Sequence, residues 1–141
     1  MGFPRVSVVI PCYNEEKTIR MLLEAIYSQS MPVGSIEVLI SDGLSSDRTR
    51  EAINDFQLAH PDLSIQVLDN YKRTIPAALN QAIQNATGEN ITRMDAHAIP
   101  AQDYIEKSLQ ALEAGLGENV GGVIDVKPGR DNWIGRSISI A

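Results

Sequence analysis

A single cysteine, Cys12, rules out an intramolecular disulfide, and nothing else in the chain points to an oxidising compartment. Just after an apolar run, Cys12 reads as a small buried filler and not as a nucleophile. Basic residues are in the minority, 12 Lys and Arg against 18 Asp and Glu, for a net charge of −6. That balance excludes broad binding along a nucleic-acid backbone, which needs a basic face. It leaves room for a nucleotide site, where one metal and one or two basic residues suffice. No apolar stretch approaches the length needed to cross a bilayer, and Met1 to Arg5 runs into a strand-like segment without a signal peptide. The protein is expected in the cytoplasm, at the inner face of the membrane if its parent is membrane-attached.

What the chain does contain is enough for one ordinary domain. At 141 residues, 43% of them hydrophobic and 21% charged, it belongs with globular proteins and not with disordered ones. Short apolar runs alternate with helical patterns. Val6 to Ile10 is a β-branched run that stops at Pro11. Glu15 to Gln29 spaces Ile19, Leu22, Leu23 and Ile26 as an amphipathic helix, with Asn14 as its expected N-cap and Glu15 and Glu16 in its first turn. Strands are then expected at Ile36 to Ile40, Ile65 to Leu68, Asn90 to Met94 and Val120 to Val126. Helices are expected at Asp47 to Leu58, Ile75 to Ala86, stopped by Gly88, and Asp103 to Ala114. This alternation predicts an α/β fold, a mostly parallel sheet with helices on both faces.

In such a sheet ligands bind beyond the C-terminal strand ends, near the point where strand order reverses. Pro11-Cys12-Tyr13-Asn14-Glu15, Ser41-Asp42-Gly43, Asp69-Asn70 and Asp95-Ala96-His97 all fall on that edge. If residues 95–97 continue the strand, Asp95 and His97 project to one face and form a two-point clamp for a divalent metal. The plainer reading is that Asp95 only forms a turn or caps a helix. The turn after the first strand, PCYNEE, has no glycine, which excludes a dinucleotide-binding fingerprint. No GxxxxGK[ST] is present, which excludes a P-loop, and Glu15 and Glu16 come too late for a receiver domain's acidic pair.

VSVVIPCYNEEKTI, then IEVLISDGLSSDRT, then ITRMDAH, resembles the N-terminal half of a family 2 glycosyltransferase. The wording RMDAHA is most similar to succinoglycan-type exopolysaccharide glycosyltransferases. The resemblance runs from Val6 to Val126 and implies a Rossmann-like GT-A fold, a nucleotide-diphospho-sugar donor, expected to be UDP-linked, and a metal cofactor, Mn²⁺ or Mg²⁺. It implies that Pro11, Tyr13 and Glu15 line the nucleoside pocket. A base stacked on Tyr13 would contribute about 1–3 kcal/mol, though Tyr13 also suits packing under the first helix. Asp42 matches the carboxylate that accepts uracil N3–H, a contact of about 1.5–3 kcal/mol that excludes cytosine; otherwise it shapes the SDG turn. Lys72 or Arg73 matches the family's basic residue in this loop, and Arg73 is taken as nucleotide-binding. Arg93 either neutralises phosphate or pairs with a nearby carboxylate. Asp47 and Thr49 read as helix caps, Asn80 as structural and His60 as a surface residue.

Asp95-Ala96-His97 departs from the family's usual DxD. Imidazole in place of the second carboxylate shifts preference toward Mn²⁺ or other transition ions. Asp95 is expected to bind metal and diphosphate, and His97 either ligates the metal or holds a hydrogen bond. The implied reaction is sugar transfer, with inversion, to a saccharide or lipid-linked acceptor, with no nucleic-acid partner. A carboxylate would act as general base. None is convincing here, since Asp125 reads as structural or sugar-binding, so the catalytic residue is unassigned. Residues 1–126 read as the donor-binding domain and 127–141 as the start of an acceptor-side region, cut short inside the element holding Trp133, Ile134, Ile138 and Ile140. The alternative is a nucleotide-binding module without transferase activity.

Overall fold

The computed structural model of the protein describes residue 2 and residues 4–122. In chain order it contains β1 (Val6–Cys12), α1 (Ile19–Tyr27), a 3-10 turn (Val33–Ser35), β2 (Ile36–Asp42), α2 (Thr49–Ala59), β3 (Ser64–Asp69), α3 (Ile75–Asn85), β4 (Asn90–Arg93) and α4 (Tyr104–Glu113). The four strands form one sheet in the order β3-β2-β1-β4, and every pair is parallel. The α/β expectation holds. The chain steps outward from β1 to β3 and then returns to place β4 on the other side of β1, so order reverses between β1 and β4.

Both faces of the central strands are covered. Val6, Val8 and Ile10 of β1 and Ile36, Val38 and Ile40 of β2 pack with Ile19, Leu22, Leu23 and Ile26 of α1, Ile53 and Phe56 of α2, and Ile105 and Leu109 of α4. Each such side chain, fully buried, contributes about 1.5–3 kcal/mol. On the opposite face Val9 and Leu39 meet Ala82, flanked by Leu79 and Ala86. Small residues on α3 let it lie close to the sheet. Thr74 caps that helix by accepting from the Ala77 N–H, and Pro76 stands in its first turn, where a missing N–H does no harm.

Three local expectations change. Helix α1 starts at Ile19 and not at Glu15, because residues 15–18 form a turn in which the Thr18 and Ile19 N–H groups donate to the Glu15 carbonyl. Asn14 is not its N-cap; it sits at φ 51°, with its side chain committed to another loop. Gly88 does not terminate α3, which ends at Asn85. It permits close approach instead: a Cβ there would lie 2.6 Å from Ser7 Oγ. Its N–H donates to Ser7 Oγ and to Glu37, which also accepts from Thr87. Residues 120–122 carry no strand; the rest of the expected fifth strand, Asp125 and residues 127–141 lie outside the described residues. Among the described residues no helix is long and apolar enough to cross a membrane.

Candidate functional site

The loops leaving β1 and β2 are locked together by side chains. The Asn14 carboxamide oxygen accepts the Ser46 N–H at 2.8 Å, and the Asn14 N–H donates to Ser45 Oγ at 2.8 Å. The Glu15 N–H donates to Thr49 Oγ1, and the Glu16 N–H to Asp47. In return the Arg48 N–H donates to the Glu16 carboxylate. Asp47 also takes the Thr49 N–H and hydroxyl, but the N-cap position of α2 is Arg48 without a side-chain cap, so Asp47 and Thr49 join the two loops and are not the expected caps. With that many partners, the Asp47 carboxyl lies below the usual range, partial desolvation being outweighed by hydrogen bonds from Thr49 and the Glu16 N–H.

Backbone hydrogen bonds chain the strand ends together. The Gly43 N–H donates to the Cys12 carbonyl and the Asn70 N–H to the Asp42 carbonyl, both at 2.8 Å. Side chains reinforce the join. Gln81 of α3 accepts from Ser41 Oγ and donates to the Asp69 carbonyl. Arg50 of α2 donates to Asp42 at 2.6 Å and to Asp69 at 2.6 Å. Arg50 was not anticipated from the sequence. A signal existed: a basic residue in the first turn of a helix opposes the macrodipole, so a carboxylate partner should be sought nearby.

Beyond this rim lies a cavity of about 220 Å³. Pro11, Tyr13, Glu15, Arg73, Arg93, Asp95 and His97 all line it, together with Gly43 and Asn70. Tyr13 is half exposed, not packed under α1. The loops converge at Gly43, where a Cβ would make ordinary contact with Tyr13 at 3.4 Å and the Arg73 Cα at 3.7 Å. Arg73 adopts φ 53°, with its N–H donating to the Asn70 carbonyl. Asn70, placed on this edge from the sequence but given no role, is buried and donates its carboxamide to the Thr74 carbonyl. Lys72 is exposed and does not line the cavity. Asn80 does not line it either. His60 packs with tilted rings against Tyr27 and Phe56, at 4.2 and 4.4 Å between ring centroids, and so is not purely a surface residue.

Asp42 is the exception among the expected ligands. It is fully buried and absent from the cavity wall, its carboxylate accepting from the Ser45 N–H and hydroxyl and from Arg50. Cys12 lies beside it. Burial, then the charges of Asp42 and Glu15, push its thiol up to about 12, so it is not a thiolate at neutral pH. That agrees with the filler reading.

The fourth strand end is built differently. Pairing stops with the Met94 N–H on the Val9 carbonyl, and Asp95 to Ala98 form a turn closed by the Ala98 N–H on the Asp95 carbonyl at 2.9 Å. Strand alternation therefore does not bring Asp95 and His97 together. The turn does, with the Ala96 side chain buried between them. Arg93 donates through Nε and Nη2 to Asp95 at 3.2 and 3.1 Å, and His97 Nδ1 lies 3.6 Å from Glu15. Among the described residues no three candidate ligands cluster tightly enough to hold a metal alone. Two side chains opening on a cavity do suit an ion that takes its remaining ligands from phosphate.

A family model described as "Glycosyl transferase family 2" matches residues 7–140. The chain belongs to this family of glycosyltransferases. It is 35% identical over 125 residues to a dolichyl N-acetyl-α-D-glucosaminyl phosphate 3-β-D-2,3-diacetamido-2,3-dideoxy-β-D-glucuronosyltransferase of Methanococcus voltae, covering 85% of this chain and 39% of that protein. It is 38% identical over 111 residues to the succinoglycan biosynthesis protein ExoA of Rhizobium meliloti, covering 77% of this chain and 33% of that one. Among solved structures, the mannosyltransferase PcManGT of Pyrobaculum calidifontis, in complex with GDP-Man and Mn²⁺, superposes with a TM-score of 0.75 at 36% identity, covering 93% of this chain and 38% of that chain. The family 2 chain thus spans well under half the length of these relatives. Its architecture is the GT-A type, and the likeness to an exopolysaccharide enzyme agrees with the wording of its third motif.

Proposed function

We propose that this chain is the donor half of a metal-assisted glycosyltransferase that uses a UDP-linked sugar. The observation that carries it is one cavity with two chemically distinct ends. An exposed aromatic and Arg73 stand at one end, and Arg93, Asp95 and His97 at the other. Tyr13 stacks on the base. Asp42 receives the uracil imino hydrogen in place of the Ser45 hydroxyl, the donor among its partners that can rotate away. Arg73 faces the base, and Arg93 faces the diphosphate, exchanging Asp95 for a phosphate oxygen. Asp95 and His97 would hold a divalent ion, Mn²⁺ ahead of Mg²⁺ because of the imidazole. That ion, when bound, supplies Lewis-acid neutralisation of the leaving diphosphate.

Inversion needs a base to take the acceptor hydroxyl proton. After Asp95 the described acidic residues are Asp103, Glu106, Glu113 and Glu118, and none lines the cavity. Three are engaged elsewhere, with Lys107, Ser30 and Arg5. We therefore place the base, and the saccharide or lipid-linked acceptor, on parts of the protein outside residues 4–122. Residues 1–126 form the donor domain and 127–141 begin the acceptor side. The protein works in the cytoplasm, at the inner face of the membrane where lipid-linked acceptors are held. The relative in complex with GDP-Man makes GDP the competitor to test, since guanine also presents an imino N–H. Calorimetry with UDP, GDP and CDP, each with and without Mn²⁺, checks both base and metal. UDP is expected to bind best and only weakly without metal. Preference for GDP would overturn the uracil assignment, and metal-independent binding would overturn the clamp.

A further inference from the structure

We propose that Arg50 is a positioning residue for base recognition, acting through two carboxylates without touching the nucleotide. This rests on the nucleotide reading above. Asp42 and Asp69 are register partners at the ends of β2 and β3, so two negative charges face each other on neighbouring strands. Unrelieved, such a pair pushes the strand ends apart. Arg50 lies between them, its Nε donating to Asp42 Oδ2 and its Nη2 to Asp69 Oδ1, each at 2.6 Å. Asp42 is fully buried, so without that cation its charge would be stranded.

The strand ends joined in this way carry the cavity wall. Gly43 follows Asp42 directly and lines the cavity with Tyr13 and Arg73. Asn70 follows Asp69 and lines the cavity, with its N–H on the Asp42 carbonyl. Arg50 itself is absent from the wall. The Arg93, Asp95 and His97 turn leaves the other side of β1 and is not tied to Arg50. Loss of Arg50 should therefore disturb the base end and spare the diphosphate end.

The test compares UDP with inorganic pyrophosphate, both with Mn²⁺, by calorimetry on the complete protein. Arg50→Met is expected to weaken UDP about tenfold, the scale of one charge-assisted contact, and to leave pyrophosphate unchanged. Arg50→Lys, which reaches one carboxylate at a time, should recover part of the loss. Adding Asp69→Asn to Arg50→Met removes the facing charge and should also recover part of it, a response that general destabilisation would not give. If Arg50→Met does not fold, Arg50→Lys carries the same comparison, with a smaller loss confined to UDP. Unchanged UDP affinity, equal losses for UDP and pyrophosphate, or no recovery in the double variant would each overturn the proposal. A wild-type protein that binds neither UDP nor GDP would overturn the nucleotide reading itself, and this inference with it.

Discussion

The two ends of the cavity are built on opposite plans. At the β1 and β2 exits Asn14, Ser45, Ser46, Asp47 and Thr49 bond across the two loops, and Arg50 ties β2 to β3. At the β4 exit Arg93 ends the strand and a short turn holds Asp95 and His97, all about half exposed or more, and their polar contacts are with one another or with Glu15. The first end is cross-braced by side chains without any ligand. The second keeps charges in loose, solvated pairs that a diphosphate can take over at little loss, because exposed ion pairs contribute only about 0–1 kcal/mol. Shape selection of a base needs a fixed wall, whereas phosphate binding needs charges that are free to change partners.

The largest effect that would break this contrast is on stability. Asn14→Ala removes the acceptor for the Ser46 N–H and strains φ 51°, so urea denaturation should show a loss of about 1–3 kcal/mol. An unchanged midpoint would mean the loops are not locked. A smaller effect belongs to the far end of the sheet and serves as a control. Partial burial alone would raise the Glu37 carboxyl, but hydrogen bonds from Ser7, Thr87 and Gly88 outweigh it and hold the carboxyl below its ordinary value of 4.5. A lowered folded pKa stabilises above the unfolded value and is lost as pH falls. Wild-type stability should thus drop below about pH 4.5 more steeply than that of Glu37→Gln. Parallel pH profiles would refute it. The smallest stability effect is expected at the β4 turn, where Arg93→Ala should shift unfolding by under about 0.5 kcal/mol while weakening UDP binding severalfold. A large stability loss there would erase the distinction between the two ends.

Much of the fold was readable because β-branched runs such as Val6 to Ile10 and stripes such as Ile19, Leu22, Leu23 and Ile26 follow from burial, which acts residue by residue. The misread boundaries lie where a side chain serves a distant partner. Asn14 caps nothing because Ser46, 32 residues on, takes its oxygen. Local pattern also placed Asp95 and His97 on a strand, though they share the cavity through a turn. Arg50 stayed hidden because its partners, Asp42 and Asp69, stand 8 and 19 residues away and meet only through strand register. The residues expected to bind nucleotide or metal were found by resemblance, and all of them but Asp42 line one cavity.

Calorimetry of UDP binding to wild type and to Asp95→Ala, each with and without Mn²⁺, is the most direct measurement. Among the described residues Asp95 is hydrogen-bonded only to Arg93 and, through its carbonyl, to Ala98, so the variant should stay folded. Wild type is expected to bind UDP at least about tenfold more tightly with Mn²⁺ than without, and Asp95→Ala to lose that gain. Equal binding by both proteins, or no effect of Mn²⁺ on wild type, would contradict the metal and diphosphate role of the β4 turn.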